Sequence, residues 1–191
     1  MAADKNQQQI NNPLLGQPQG APNPSGQWGT PEQPFWRPGA NPTVDNIILC
    51  AGQVLLIQRS LDNDACPGQW ALPGGFHDTQ APMGEPWSPG LESAQQAALR
   101  ELAEETGLSL YEMEDRMEYV GFFQERSRDA RNSQMAWSVS NVFLLRVPEQ
   151  WMDRIQAGDD ARDARWFSVE EIGSMALAFD HRDMLKRAGV I

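Results

Sequence analysis

The sequence predicts an α/β or α+β sandwich built around one sheet. Three observations carry this expectation. Apolar, strand-like runs occupy both halves of the chain, and one long segment without Pro or Gly reads as a helix. The order along the chain is strands, helix, strands, helix, and no internal repeat interrupts it.

The elements follow in sequence. Residues 1–42 are rich in Gln, Asn, Pro and Gly, and such a segment buries too little apolar surface to offset its ordering entropy. Met1–Gly26 is expected to be disordered, whereas Trp28, Phe35 and Trp36 suggest that the end of this extension docks on the domain or on a second subunit. The domain is expected to run from Thr43 to Ile191. Val44–Cys50 and Gln53–Gln58 flank Ala51-Gly52, which reads as a two-residue hairpin turn. Trp70–Leu72 is a short strand stopped by Pro73-Gly74-Gly75. Ser93–Thr106 is dense in Ala, Leu, Glu and Gln and is closed by Gly107, the usual end of a helix. Met117–Gln124 and Trp137–Val147 read as strands, Glu149–Ile155 as a short helix, Ala164–Phe167 as a last strand and His181–Arg187 as a final helix.

Charge narrows the function classes. The chain of 191 residues carries 15 Lys and Arg against 26 Asp and Glu, a net −11. Lys5 and Arg37 cancel Asp4 and Glu32, so the excess lies in residues 43–191. An acidic domain is a poor nonspecific binder of nucleic acid or anionic membrane, and neither is expected as a partner. A phosphate substrate would need a local counter-charge, for which a divalent metal is the natural candidate. Two cysteines do not make a disulfide framework, and Cys50 reads as a small buried hydrophobe. No apolar stretch spans a bilayer, and the N-terminus lacks a signal-peptide core, so a cytoplasmic setting is the expectation.

The chemistry concentrates in Arg100-Glu101-Leu102-Ala103-Glu104-Glu105-Thr106-Gly107-Leu108. At about 100° per residue, Glu101, Glu104 and Glu105 share one helix face while Leu99, Leu102 and Ala103 turn elsewhere. Three clustered carboxylates are either an acidic solvated face or a cation site, and hard oxygen donors suit Mg²⁺ or Mn²⁺. Arg100 can fix the direction of a carboxylate, and the turn Leu72-Pro73-Gly74-Gly75-Phe76 can bring bare backbone carbonyls close to a ligand. Glu92 stands eight residues before Arg100.

From Glu92 to Leu108 the chain resembles the Nudix hydrolases. Their box reads Gly, five residues, Glu, seven residues, Arg-Glu-apolar-any-Glu-Glu-any-Gly-apolar, and Glu92, Arg100, Glu101, Leu102, Glu104, Glu105, Gly107 and Leu108 all match. The resemblance implies the Nudix fold, an α/β/α sandwich with a mixed sheet, and hydrolysis of a nucleoside diphosphate linked to another group. It implies Gly75, Glu101, Glu104 and Glu105 as metal ligands and Arg100, Glu101, Glu105 and Glu92 as the catalytic set. One departure stands out. Sixteen residues separate Gly75 from Glu92 where the pattern has five, an insertion of about eleven, and Gly84-Glu85 inside it imitates the box pair at the wrong spacing. The place of Glu92 against Glu85 stays open on sequence.

Further segments resemble ADP-ribose pyrophosphatases, including the mitochondrial type and its channel-fused relative: Trp28-Gly29-Thr30-Pro31, Arg128-Asp129-Ala130-Arg131-Asn132 with Ala136-Trp137, and Ala157-Gly158-Asp159-Asp160-Ala161 with Trp166. Leu177-Ala178-Phe179-Asp180-His181 resembles a segment of bacterial ADP-ribose hydrolases. Candidate substrate contacts are Arg59, Phe76, Arg128, Arg131 and Asp160. Each of these segments has a plainer alternative: Asp159-Asp160 as a turn, Asp180 as a helix cap, Trp137 as core and His181 as a structural hydrogen-bonding group. The expected reaction is Mg²⁺-dependent cleavage of ADP-ribose to AMP and ribose 5-phosphate. A box glutamate is the favoured base, with Glu125 and Asp129 as alternatives. NADH, another nucleotide sugar or a dinucleoside polyphosphate is the alternative substrate, a noncatalytic ADP-ribose-binding module is the alternative class, and a homodimer is among the resemblance's implications.

Overall fold

The computed structural model of the chain describes residues 37–80, 85–90, 92–158 and 161–191. The expectations for Met1–Gly26, for Trp28, Phe35 and Trp36, and for Asp160 lie outside the described residues. Seven strands among the described residues form one mixed sheet: β1 (Gly39–Cys50), β2 (Gln53–Arg59), β3 (Trp70–Ala71), β4 (Gly74–Phe76), β5 (Glu118–Phe123), β6 (Ala136–Arg146) and β7 (Ala161–Ser168). The order is β3-β2-β1-β6-β5, with β4 pairing β1 and β7 pairing β2. β1 and β6 run parallel over Gly39↔Ala136 to Leu49↔Arg146, and the other pairs are antiparallel.

Among the described residues three α-helices flank the sheet: α1 (Ala94–Thr106), α2 (Val169–Ser174) and α3 (His181–Arg187). Strand side chains alternate between faces, so each strand feeds two cores. Ile48, Cys50, Leu55 and Leu145 pack with Leu99 and Leu102 of α1 on one face. Ile47, Val54, Leu56 and Leu144 pack with Ile172, Met184 and Leu185 of α2 and α3 on the other. This is the α/β/α sandwich that the sequence resemblance implies.

Local chemistry explains the element ends. Ala51 and Gly52 both have positive φ, 47° and 77°, as a tight hairpin turn requires, and Cys50 pairs with Gln53 across it. Ser93 and Gln96 form a reciprocal capping box at the start of α1, and Gly107 closes it in the left-handed conformation. A second capping box, Ser168 with Glu171, starts α2, a helix the sequence reading does not contain. Pro73-Gly74-Gly75, expected only as a break, leads directly into β4. Gly74 and Gly75 pair with Asp45 and Val44 in the middle of β1, and the absence of a side chain at Gly74 lets the two backbones meet. Glu149–Arg154 is a 3-10 helix, as are Tyr111–Arg116 and Arg126–Arg128.

Candidate active site

The site is built where α1 faces β4. Asn46, fully buried on β1, fixes this junction. Its side-chain amide donates to the carbonyls of Ala98 on α1 (2.8 Å) and Pro73 (3.3 Å), and its backbone N–H also donates to Pro73 (2.8 Å). The helix and the glycine turn are thereby held against each other. Asp45-Asn46, a polar pair directly ahead of the apolar run Ile47-Ile48-Leu49-Cys50, is the signal in the sequence that could have found this role.

Arg100 gathers the carboxylates. Its Nε and one terminal nitrogen donate to the two oxygens of Glu92, each at 3.0 Å, in a bidentate pair. The other terminal nitrogen reaches Glu101 at 2.7 Å and Glu104 at 3.1 Å, and Arg100 also donates to the carbonyl of Phe76 at 2.9 Å. Burial disfavours the guanidinium's charge, but Glu92 and Glu101 outweigh burial and hold Arg100 protonated beyond its ordinary range. Burial likewise pushes Glu92 up, yet Arg100 and the Asp78 N–H (2.7 Å) outweigh it and keep Glu92 below the usual carboxylate range.

Of Glu92 and Glu85, it is Glu92 that the structure seats on Arg100. Thr79 and Pro89 form an isolated antiparallel bridge, and Thr79 Oγ1 donates to the Ser88 carbonyl at 2.9 Å. The segment is pinched shut at its base, so the chain re-enters beside Phe76 and Asp78 with Glu92 in place on Arg100. Glu85 is exposed on the far side of the pinch. His77 and Trp87 meet edge to face across the loop base, with ring centroids 6.1 Å apart.

Of the other box residues, Glu105 is buried and its carboxylate accepts the Gly74 N–H at 2.8 Å. Glu104 is half exposed. Gly75 lies over Glu101, and a Cβ built there would stand 2.5 Å from Glu101 Cδ. The Gly75 position is thus a cradle that a side chain would fill. Among the described residues no three Asp, Glu, His or Cys side chains stand grouped as a finished metal cage. Arg100 draws Glu101 and Glu104 toward itself, while Glu105 turns to Gly74. The donor set nonetheless fits a hard cation: carboxylates of Glu101, Glu104 and Glu105 with bare backbone at Gly75.

The candidate substrate contacts separate into groups. Phe76 ends β4, and its carbonyl is bound by Arg100. Arg59 ends β2 and Arg131 lies across from it, their guanidinium carbons 5.0 and 5.7 Å from the ring centroid of Phe179. Arg128, expected in a loop open to phosphate, is instead buried. It pairs with Asp180 (3.1 Å) and Asp45 (3.4 Å) and donates to Ser138 at 2.9 Å. The reason is charge neutralisation: two interior carboxylates need a cation, and Arg128 supplies it. Asp180 occupies the N-cap of α3 but makes no side-chain cap bond, since Arg128 takes its carboxylate. His181 is a buried link, its Nδ1 accepting the Leu72 N–H at 2.8 Å and its Nε2 facing Asp45 at 3.2 Å. Burial pushes Asp45 up, but His181, Arg128 and Ser140 outweigh it and hold its pKa below the usual value, whereas burial raises Asp180. Both oxygens of Asp129, one alternative base, are engaged by Arg131. Trp137 carries the Arg126 guanidinium 3.5 Å above its ring.

Comparison with known proteins decides the family. A family model described as the NUDIX domain matches residues 40–188. The chain belongs to the Nudix family. It is 33% identical over 143 residues to an ADP-ribose pyrophosphatase of Methanocaldococcus jannaschii, covering 75% of this chain and 69% of that one. It is 32% identical over 152 residues to an ADPR-responsive transcriptional repressor of Acinetobacter baylyi, covering 76% of this chain and 52% of the repressor. Among solved structures, the NUDIX domain of Shewanella oneidensis NrtR complexed with ADP ribose superposes with a TM-score of 0.62 at 30% identity, covering 79% of this chain and 87% of that one. This Nudix chain is therefore ADP-ribose pyrophosphatase-like in family, with relatives that include a regulator. No helix among its described residues is long and apolar enough to cross a membrane.

Proposed function

We propose that this Nudix protein hydrolyses ADP-ribose to AMP and ribose 5-phosphate with Mg²⁺, Mn²⁺ serving as a substitute. The observation that carries the reading is the box helix, where Glu92, just ahead of the N-cap, aims Arg100 and Arg100 collects Glu101 and Glu104 beside Gly75. Similarity to an ADP-ribose pyrophosphatase and to an ADP-ribose-bound domain supports the choice of substrate.

Glu101, Glu104, Glu105 and the Gly75 carbonyl would hold the metal. A divalent cation there supplies positive charge to the diphosphate and lowers the pKa of the attacking water. Arg100 and Glu92 keep the carboxylates oriented, as supporting partners do in metal sites generally. A box glutamate accepts the proton as water adds to one phosphorus, and the bond from that phosphorus to the bridging oxygen breaks, leaving two phosphomonoesters. Asp129, with both oxygens on Arg131, is not poised for that task.

Glu101→Gln and Glu105→Gln, assayed separately with ADP-ribose and Mg²⁺, should each lower kcat by at least about a hundredfold while leaving the unfolding midpoint near wild type. Near-wild-type turnover in both purified variants would sink the assignment. A second reading, ADP-ribose binding without hydrolysis, is favoured by the relative that is an ADPR-responsive repressor. Tight ADP-ribose binding by the wild-type protein, with no AMP formed in excess Mg²⁺, would select it.

A further inference from the structure

Phe179 has φ +51°, a conformation that bulky side chains rarely adopt. The backbone on either side explains how it is kept there. The Ala178 N–H donates to the Trp70 carbonyl at 2.8 Å, and Leu177 bridges Trp70. On the other side Asp180 is held by buried Arg128, and His181 is held by Leu72 and Asp45. Flanking bonds over-determine the position, so the strain persists.

Gly or Asn would carry little penalty at this conformation. The chain places a phenyl ring instead and leaves it partly exposed. The ring rests on Ile57, Ala71, Ala164 and Ala178. Two guanidiniums stand over it, Arg59 at 5.0 Å and Arg131 at 5.7 Å, in a chain with only 15 Lys and Arg and a net charge of −11. Arg59 donates to the Ala65 carbonyl at 2.9 Å, and Arg131 is forked onto Asp129, so both side chains are braced.

The cluster also connects with the box. His181, two residues beyond Phe179, accepts from Leu72, whose glycine turn supplies the N–H that Glu105 binds. On the other side, Arg59 pairs in register with Ala161, whose N–H donates to Gly158 at 3.0 Å, and the Gly158 N–H donates to the Glu105 carbonyl at 3.1 Å. Both routes end at Glu105.

The geometry points to Phe179, with Arg59 and Arg131, as a specificity-determining subsite that takes a phosphorylated ring, one half of the nucleoside diphosphate substrate. The phosphate oxygens of the ligand meet the two guanidiniums held over the phenyl ring, and its sugar or base packs against the part of the ring that stays exposed. This inference rests on the functional reading above. Neither AMP nor ribose 5-phosphate is favoured a priori, because each is a phosphate on a ring; product inhibition tells them apart.

The test uses the full chain and Phe179→Leu, which retains apolar volume, and Phe179→Gly, which removes the ring and relieves the backbone. Steady-state ADP-ribose hydrolysis, inhibition by AMP and by ribose 5-phosphate, calorimetric ADP-ribose binding and unfolding midpoints are measured on each. The subsite predicts a rise in KM of about tenfold in both variants, with kcat within threefold of wild type. The inhibition constant of only one product should rise with it, naming the half bound there. Unchanged KM and unchanged product inhibition in Phe179→Leu would overturn the subsite, and so would a fall in kcat alone. If wild type binds ADP-ribose without cleaving it, the hydrolytic reading fails, and the subsite is judged by whether the Kd of Phe179→Leu rises tenfold or stays put. A wild-type protein that neither binds nor cleaves ADP-ribose overturns both.

Discussion

Adding one methyl group at Gly75 should separate the chemistry of this site from its stability. A Cβ there would lie 2.5 Å from Glu101 Cδ and 2.7 Å from Glu101 Oε1, against the 3.4 Å at which ordinary contact begins. The Glu101 carboxylate must therefore retreat by nearly an ångström in Gly75→Ala. It is the far end of a flexible side chain, so the fold yields cheaply and the unfolding midpoint should hardly move. Catalysis should not yield cheaply: a misplacement of about 1 Å costs roughly a hundredfold in rate, or about 2.7 kcal/mol of transition-state stabilisation. Gly74→Ala is the control in the opposite sense. Its Cβ would meet backbone, with Val44 O in direct overlap and Asp45 Cα at 2.9 Å. That variant should lose β4 pairing and several kcal/mol of stability. ADP-ribose hydrolysis in Mg²⁺ and thermal unfolding would be followed for both proteins. Wild-type kcat/KM in a well-folded Gly75→Ala protein would refute the idea that Gly75 is bare to make room for Glu101.

Other expectations follow from the same contacts. Glu92→Gln should lower kcat by about 10- to 100-fold by loosening Arg100, whereas Glu85→Gln should match wild type; the reverse pattern in the hydrolysis assay would return the box role to Glu85. Asp45→Asn should destabilise the fold by about 3–5 kcal/mol at pH 7, because Arg128 and His181 lose a buried partner. The folded Asp45 has a depressed pKa, so its stabilisation is present above the ordinary carboxylate value and is lost as pH falls through about 4 and below. Urea unfolding should therefore show the gap between wild type and Asp45→Asn narrowing in acid, and a constant gap would contradict this sign. Burial raises the pKa of the Cys50 thiol, so a maleimide should label Cys66 first and Cys50 only on unfolding, as mass spectrometry of the labelled peptides would show.

Much of this architecture was legible in the sequence because its determinants are local. Ser93, Gln96 and Gly107 cap α1 within the helix's own neighbourhood, and Ala51-Gly52 sets its hairpin in two residues. The shared face of Glu101, Glu104 and Glu105 follows from helical periodicity alone. What stayed hidden depends on distant partners. Arg128 looked like a loop cation because its carboxylates, Asp45 and Asp180, lie 83 and 52 residues away. Gly74-Gly75 looked like punctuation because β4 exists only through pairing with β1. The place of Glu92 stayed open because sixteen residues separate it from Gly75 along the chain, whereas Arg100, which binds both Glu92 and the Phe76 carbonyl, responds to distance through space. The strain at Phe179 has no sequence signal at all, since nothing in Leu177-Ala178-Phe179-Asp180-His181 announces a positive φ.

The Thr79–Pro89 bridge has one more consequence. It closes the insertion at its base by a single bridge, with Glu92 and Arg100 outside the closed segment. Loop closure adds only about 0.6 kcal/mol for each doubling of length. Lineages, or protein engineers, should therefore be able to lengthen, shorten or exchange the sequence between Thr79 and Pro89 while the Glu92–Arg100 pair stays in place.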